Sequence, residues 1–136
     1  HFTDRRQRQM CIRDRVSKAR TTSLDNDKIA VETTKFNLIK NKAIRKSKVF
    51  RSEGLKNIHL IKLSKFDLIF ANILFKPLKT LVKSLHKFLI KGGLVILSGI
   101  SLQQAKKIEA IYLGHNLKKV YCINEDNWMT LVFKKI

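Results

Sequence analysis

The run Lys65-Phe-Asp-Leu-Ile-Phe-Ala-Asn-Ile-Leu74 constrains the fold more than any other part of the chain. Phe66 to Phe70 is almost uninterrupted apolar sequence, too short for a helix and flanked by lysine, which is how a central parallel strand covered on both faces reads. The strand is expected to run to Ile73. Asn72 stands at its exit, and open α/β sheets gather their chemistry at the carboxyl ends of strands. A second buried run, Leu94 to Leu97, follows Gly92-Gly93 and leads into Ser98-Gly99-Ile100. Between the two runs, Leu78, Leu81, Val82, Leu85, Phe88 and Leu89 form one apolar stripe. Their spacing predicts a helix with Pro77 in its first turn and Gly92-Gly93 at its end.

The remaining sequence alternates in the same way. Ala19 to Asp25 reads as a short strand, and Asp27 to about Lys42 as a helix capped by Asn26 or Asp27, with Ile29, Ala30, Thr33, Phe36 and Ile39 near helical spacing. Lys48 to Ser52 reads as a weak strand, and Asn57 to Ser64 fits neither pattern. Gln103 to about Leu113 predicts a helix ended near Gly114. Lys119 to Ile123 and Trp128 to Phe133 read as a closing antiparallel pair, with Trp128 a packing residue of that hairpin. Strands alternating with helices imply an α/β fold built on a parallel sheet.

Asp67-Leu-Ile-x-Ala-Asn-Ile-Leu74, the helix after it, Gly92-Gly-x-x-x-Leu-Ser-Gly-Ile100, Gln104-Ala105 and a late Trp together resemble the C-terminal part of the PrmA-type ribosomal protein methyltransferases. Ser23-Leu-Asp-Asn-Asp-Lys-Ile-Ala-Val-Glu32 and Phe36-Asn37 resemble that family's second strand and the following helix. The likeness runs from Lys18 to Ile136. It implies a Rossmann-like class I methyltransferase fold that uses S-adenosylmethionine to methylate amino groups, lysine side chains and the N-terminus, of large-subunit ribosomal protein eleven.

The resemblance also implies a site. Asp25 matches the acid that accepts hydrogen bonds from the ribose hydroxyls of the cofactor, a task for an acceptor-only carboxylate. The alternative is that Asp25 and Asp27 only favour the start of the helix. Asn72 matches the polar residue beside the transferred methyl group, where an amide carbonyl can accept the hydrogens of a neutral amine and hold its lone pair in line. The alternative is an asparagine that caps the next helix. Ser52, Glu53 and Gly54 fall where the family lines the adenine pocket, and Glu53 is taken as a cofactor contact. Related enzymes acting on nucleobases or glutamine amides carry Asn-Pro-Pro-Tyr at the Asn72 position. Here Asn72-Ile-Leu-Phe75 stands instead, which suits a flexible lysine amine.

A class I methyltransferase domain opens with a strand and a Gly-rich loop against the cofactor, and neither has a counterpart among these residues. The five glycines, Gly54, Gly92, Gly93, Gly99 and Gly114, form no Gly-x-Gly turn between a strand and a helix. The expectation is a truncated domain lacking the first, central strand, inactive alone and poorly soluble or partly molten in isolation because sheet edges are left open.

The head of the chain has another character. Arg5-Arg-Gln-Arg-Gln-Met-Cys-Ile-Arg-Asp14 resembles the translation of a widely used transposase sequencing adaptor, so residues 1–15 are set apart as non-native and 16–136 taken as the partial catalytic domain. The alternative is a natural basic arm that binds RNA. Without that head, which holds five Arg and two Asp, 24 Lys and Arg face 8 Asp and Glu, a formal net charge of +16 against +19 for all 136 residues. Such a field attracts nucleic acid, so a basic nucleic-acid-associated module, or an inactive methyltransferase remnant, stands as the other reading. Aromatic residues are not interleaved with the lysines as in RNA-binding modules. Cys11 lies in the head and Cys122 stands alone in an apolar run, which builds neither a disulfide nor a zinc site. His59, His86 and His115 read as ordinary surface or helix residues. No apolar run approaches the roughly 20 residues a membrane span needs, and a cytoplasmic setting is expected.

Overall fold

Asp27 starts the first helix, and the elements on either side of it follow from that cap. The structure, a computed structural model, describes residues 20–25, 27–42, 44–51, 65–72 and 75–136. The chain divides into two compact units, His1–Ile61 and Lys62–Ile136. In the first, β1 (Thr21–Asp25) leads to α1 (Lys28–Lys40), a short 3-10 turn (Ile44–Lys46) and β2 (Ser47–Arg51). The Asp27 carboxylate accepts the Ile29 N–H at 2.9 Å, satisfying one of the orphan donors at the helix start. Lys42 ends the helix in the left-handed region (φ 58°), its N–H reaching the Ile39 carbonyl at 3.1 Å. β1 and β2 are parallel, from Thr21 opposite Ser47 to Asp25 opposite Arg51.

The buried side of α1 is not the stripe its sequence suggests. Ala30, Val31, Thr34 and Leu38 are buried, whereas Ile29, Phe36 and Ile39 are exposed at 72, 63 and 62%. Apolar residues occupy both sides of this helix, so periodicity alone does not choose between them. The side with the smaller residues is the one set inward.

The second unit holds β3 (Phe66–Ala71), α2 (Phe75–Phe88), β4 (Leu89–Ser101), α3 (Leu102–Leu113), β5 (Leu117–Glu125) and β6 (Trp128–Lys135). Its four-stranded sheet has the order β3-β4-β6-β5. β3 and β4 are parallel, and β6, last in the chain, is inserted antiparallel between β4 and β5. One sheet face carries Val95, Leu97, Leu131 and Phe133, all buried. α2 and α3 supply Leu78, Val82, Leu85, Ala105, Ile108 and Tyr112 to the same core. The Tyr112 hydroxyl donates to the Leu78 carbonyl at 2.9 Å, and its ring lies 4.9 Å from that of Phe133. Burial pushes the Tyr112 phenol well above its ordinary range.

Three expectations change here. α2 stops at Phe88 and β4 begins at once, because Leu89 is fully buried opposite Phe66. The Lys135 ammonium takes the orphan carbonyls of the helix end, donating to His86 at 2.8 Å and Leu89 at 3.0 Å. Burial, with a contribution from Lys65, lowers its pKa. Gly92-Gly93 therefore lies inside a strand rather than ending the helix. Gly92 has φ +80°, and a side chain on Gly93 would meet the Ile90 carbonyl at 2.8 Å, so the pair serves a bulge where the β3–β4 register shifts.

β3 is not covered on both faces. It is an edge strand within its unit, and Leu68 and Phe70 are exposed at 40 and 50% on the face away from α2 and α3. Trp128 likewise is no packing residue, since it starts β6 with 59% of its surface exposed. The closing hairpin itself is present as expected. Asp126 and Asn127 both have positive φ, 49° and 65°, giving the type I′ turn that matches strand twist. Ser101 caps α3 through a reciprocal pair with Gln104, each bond 3.3 Å.

Candidate functional site

The pairing of parallel strands β3 and β4 ends with Ala71 opposite Leu97, so Asn72 emerges beside Ser98 and Gly99 in the last part of β4. Asn72 is half-buried. A Cβ built on Gly99 would sit 2.8 Å from Asn72 Oδ1 and 3.7 Å from Cγ, so the amide rests directly against the Gly99 backbone. Gly99 also has φ +76°, a conformation other residues adopt only with strain. Glycine is thus required twice over at this position. The amide is held at the carboxyl end of the sheet with a carbonyl that accepts and an NH₂ that donates. Sequence reading did not single out Gly99. The available signal was a glycine leaving the strand expected to lie parallel to the one before Asn72.

Asp25 ends β1 in the first unit and is half-buried. Its Oδ1 accepts the Asp27 N–H at 3.0 Å, an Asx-type turn that delivers the chain to the Asp27 cap. The helix-start role weighed for these acids is therefore real for both. Among the described residues it engages one oxygen of Asp25, and a carboxylate has about four acceptor positions. Ser52, Glu53 and Gly54 lie outside the described residues. Asn72 and Gly99 are brought together in the second unit, and Asp25 belongs to the first.

A shallow cleft of about 310 Å³, lined by Lys83, His86, Gly114, His115 and Asn116, contains none of these residues. Burial lowers the His86 pKa, with Lys135, His115 and Lys65 adding repulsion in that order. Among the described residues no group of three or more His, Cys, Asp or Glu side chains could hold a metal ion. No helix among them is long and apolar enough to cross a membrane.

An acceptor side chain at the exit of one of two parallel strands, followed by an antiparallel hairpin whose last strand is inserted, defines the C-terminal part of a class I methyltransferase sheet. Solved structures share it: a methyltransferase from Pyrococcus furiosus superposes with a TM-score of 0.78 at 16% identity, covering 93% of this chain and 68% of that one. The family model for ribosomal protein L11 methyltransferase (PrmA) matches residues 14–136, and the chain belongs to that family. A ribosomal protein L11 methyltransferase of Caulobacter sp. strain K31 is 34% identical over 111 residues, 82% of this chain and 38% of the relative. The crystal structure of a ribosomal protein L11 methylase from Lactobacillus delbrueckii subsp. bulgaricus has a TM-score of 0.75 at 25% identity, covering 84% of this chain and 57% of that one. The chain thus spans little more than a third of the length of the Caulobacter relative.

Proposed function

We propose that this chain is part of an S-adenosylmethionine-dependent enzyme that methylates lysine side chains and the N-terminus of large-subunit ribosomal protein eleven in the cytoplasm. The observation that carries the reading is Asn72 held against Gly99 at the carboxyl end of β3, inside the segment that matches the family.

The residues fit such a site in chemical kind. The cofactor, when bound, supplies an electrophilic methyl group on a sulfonium. Asn72 would accept the hydrogens of the incoming amine through Oδ1, while attack on the methyl carbon requires that amine to be neutral, with its lone pair free. Fixing this acceptor against backbone, rather than on a mobile side chain, aligns nucleophile and methyl carbon before reaction. Asp25 would take the ribose hydroxyls on its second carboxylate oxygen, and Glu53 would line the adenine side. No metal is needed for these tasks.

In the same reading, residues 1–15 are adaptor translation and 16–136 the native portion. The match to the family begins at residue 14 and so takes in the last two residues of the stretch read as adaptor. Sequencing the chromosomal locus across the Val16 codon is the first test. A reading frame that continues upstream through a Gly-rich turn is the expected result. Residues 1–15 encoded on the chromosome behind a start codon would overturn the division. The product of the continuous frame should transfer labelled methyl to the ribosomal protein. Asn72→Ala in it should lower kcat by on the order of 10²-fold with KM little changed, the loss expected when a reacting group is no longer aligned. An unchanged kcat would remove Asn72 from the site.

A further inference from the structure

We propose that the cleft between the ends of α2 and α3 is a docking site for a nucleic-acid backbone, with Lys83, His86 and His115 receiving its phosphates. The inference rests on the second unit alone and is independent of the methyltransferase reading. Asn72 stands at the carboxyl end of β3, where α2 begins. Because β3 and β4 are parallel, α2 runs back to the amino end of the pair, and α3 returns the same way from the end of β4. Both helices therefore finish at the pole opposite Asn72, where Lys65 precedes β3 and Lys135 closes β6.

Charge is sorted at this pole. α2 carries no acid in its 14 residues, and Lys79, Lys83 and His86 follow one another at helical spacing on its outer side. At a rise of about 1.5 Å per residue they stand roughly 6 and 4.5 Å apart along the axis, so one extended polyanion can meet them in turn. Gly114, His115 and Asn116, just after α3, line the cleft opposite Lys83 and His86. No carboxylate lines it, and the charged groups acting on His86 are all cations, Lys135, His115 and Lys65. Glu109, the one acid of α3, is held by Lys119 at 2.9 Å.

A simpler use for these cations is to neutralise the two helix C-termini, which carry roughly −0.5 charge each. Two groups do so: the Lys135 ammonium bonds the His86 and Leu89 carbonyls, and His115 Nδ1 donates to the Ile111 carbonyl at 2.9 Å. Lys65, Lys83 and Lys135 together bring three ammonium groups against that single negative charge, a surplus of about two that an anion would satisfy. With its proton on Nδ1, the His115 ring can donate from Nε2 as well only when it is charged. The cleft is shallow, as suits a chain lying across it, and no aromatic side chain lines it, so the contact is to backbone rather than to stacked bases. A lipid surface fits less well, because α2 keeps Leu78, Val82, Leu85 and Phe88 buried in the core and has no apolar stripe to insert.

The test uses the whole chain and a short fluorescent oligouridylate, followed by anisotropy; comparing variants of one chain cancels any contribution of its arginine-rich head. Lys83→Glu should raise Kd by roughly tenfold and lower the salt slope by about 1. Lys106→Glu is the same charge change on an exposed residue about 12 Å back along α3 from Gly114, more than a Debye length at physiological salt, and should change Kd less than about twofold. Equal losses from the two would mean that binding follows net charge, and would overturn the cleft. Binding should also tighten as pH falls through the imidazole range, because burial and the surrounding cations disfavour the charged form of His86 in the free chain and a phosphate favours it. His86→Gln with His115→Gln should remove most of that gain, and an unchanged pH dependence would overturn the cleft equally. Oligoglutamate of the same total charge should displace the RNA at least about tenfold less effectively than unlabelled oligouridylate. Equal displacement would mean that the site takes an acidic peptide, and would overturn the nucleic-acid assignment.

Discussion

The two units use different materials for the same α/β grammar. In the second, Tyr112, Phe133, Leu78, Leu85, Leu97, Ile108 and Leu131 are fully buried between one sheet face and two helices. Among the described residues of the first, Ala30, Val31 and Leu38 are buried together with three hydroxyl residues, Thr21, Ser23 and Thr34, and Leu38 is the one large side chain of that group. At roughly 25 cal/mol for each Å² of apolar surface removed from water, large side chains dominate stability, and the described residues of the first unit, two strands with one helix, bury few of them. Asn72 and Gly99 therefore stand on the stronger scaffold, and Asp25 on the weaker. In the proposed reading, a group that must be aligned to within a fraction of an ångström belongs on the former, and a carboxylate that would only receive hydroxyls tolerates the latter.

The largest expected effect tests whether the second core really is the stronger. Tyr112→Ala removes a buried ring, its contact with Phe133 and its hydrogen bond to Leu78, and should cost about 3–5 kcal/mol in chemical denaturation. Leu38→Ala, in the first unit, should leave the main transition almost unmoved. If the two variants shift one common transition equally, the units unfold together and the comparison fails.

Next in size is Gly99→Ala, which sharpens the link between scaffold and site. The new methyl would meet Asn72 Oδ1 at 2.8 Å on a backbone already at φ +76°, so a loss of about 1–3 kcal/mol is expected. The Asn72 side-chain amide resonance should move at the same time, assigned by its absence in Asn72→Ala. A stable Gly99→Ala protein with that resonance unshifted would show that glycine does not set the amide.

These two sites also show what could be read from sequence and what could not. The second unit was legible because its signals agree: the run before Asn72, the stripe from Leu78 to Phe88, and two strands closing on a turn. Exact edges were not, because they depend on distant partners. Nothing local says that the ammonium of Lys135 will finish α2, and without it Gly92-Gly93 reads as a helix stop rather than a strand bulge. The inward side of α1 was ambiguous because both sides are apolar, and only packing on β1 and β2 selects Ala30, Val31, Thr34 and Leu38. For Trp128, size suggested burial, yet at the first residue of β6, next to the hairpin turn, it is left 59% exposed. Asn72 was visible through its strand, whereas Gly99 needed the parallel register that puts the two together.

The smallest effect concerns Ser23, where the weaker unit can be improved. Ser23 lies in β1 with 4% of its surface exposed, and its Oγ has no hydrogen-bond partner among the described residues. A buried hydroxyl without a partner costs free energy relative to water, whereas a methyl group in its place does not. The neighbouring hydroxyls differ: Thr21 donates to Ser47 at 2.9 Å and Thr34 to the Ala30 carbonyl at 2.8 Å. Ser23→Ala should therefore stabilise the first unit by up to about 1 kcal/mol, seen as slower amide exchange in α1 and β2 with the second unit unchanged. Thr21→Val, which breaks a satisfied pair and leaves Ser47 without that bond, should have the opposite sign. Faster exchange in Ser23→Ala would mean that this hydroxyl is bonded in solution, and that the contrast between the two cores lies in side-chain size rather than in polar satisfaction.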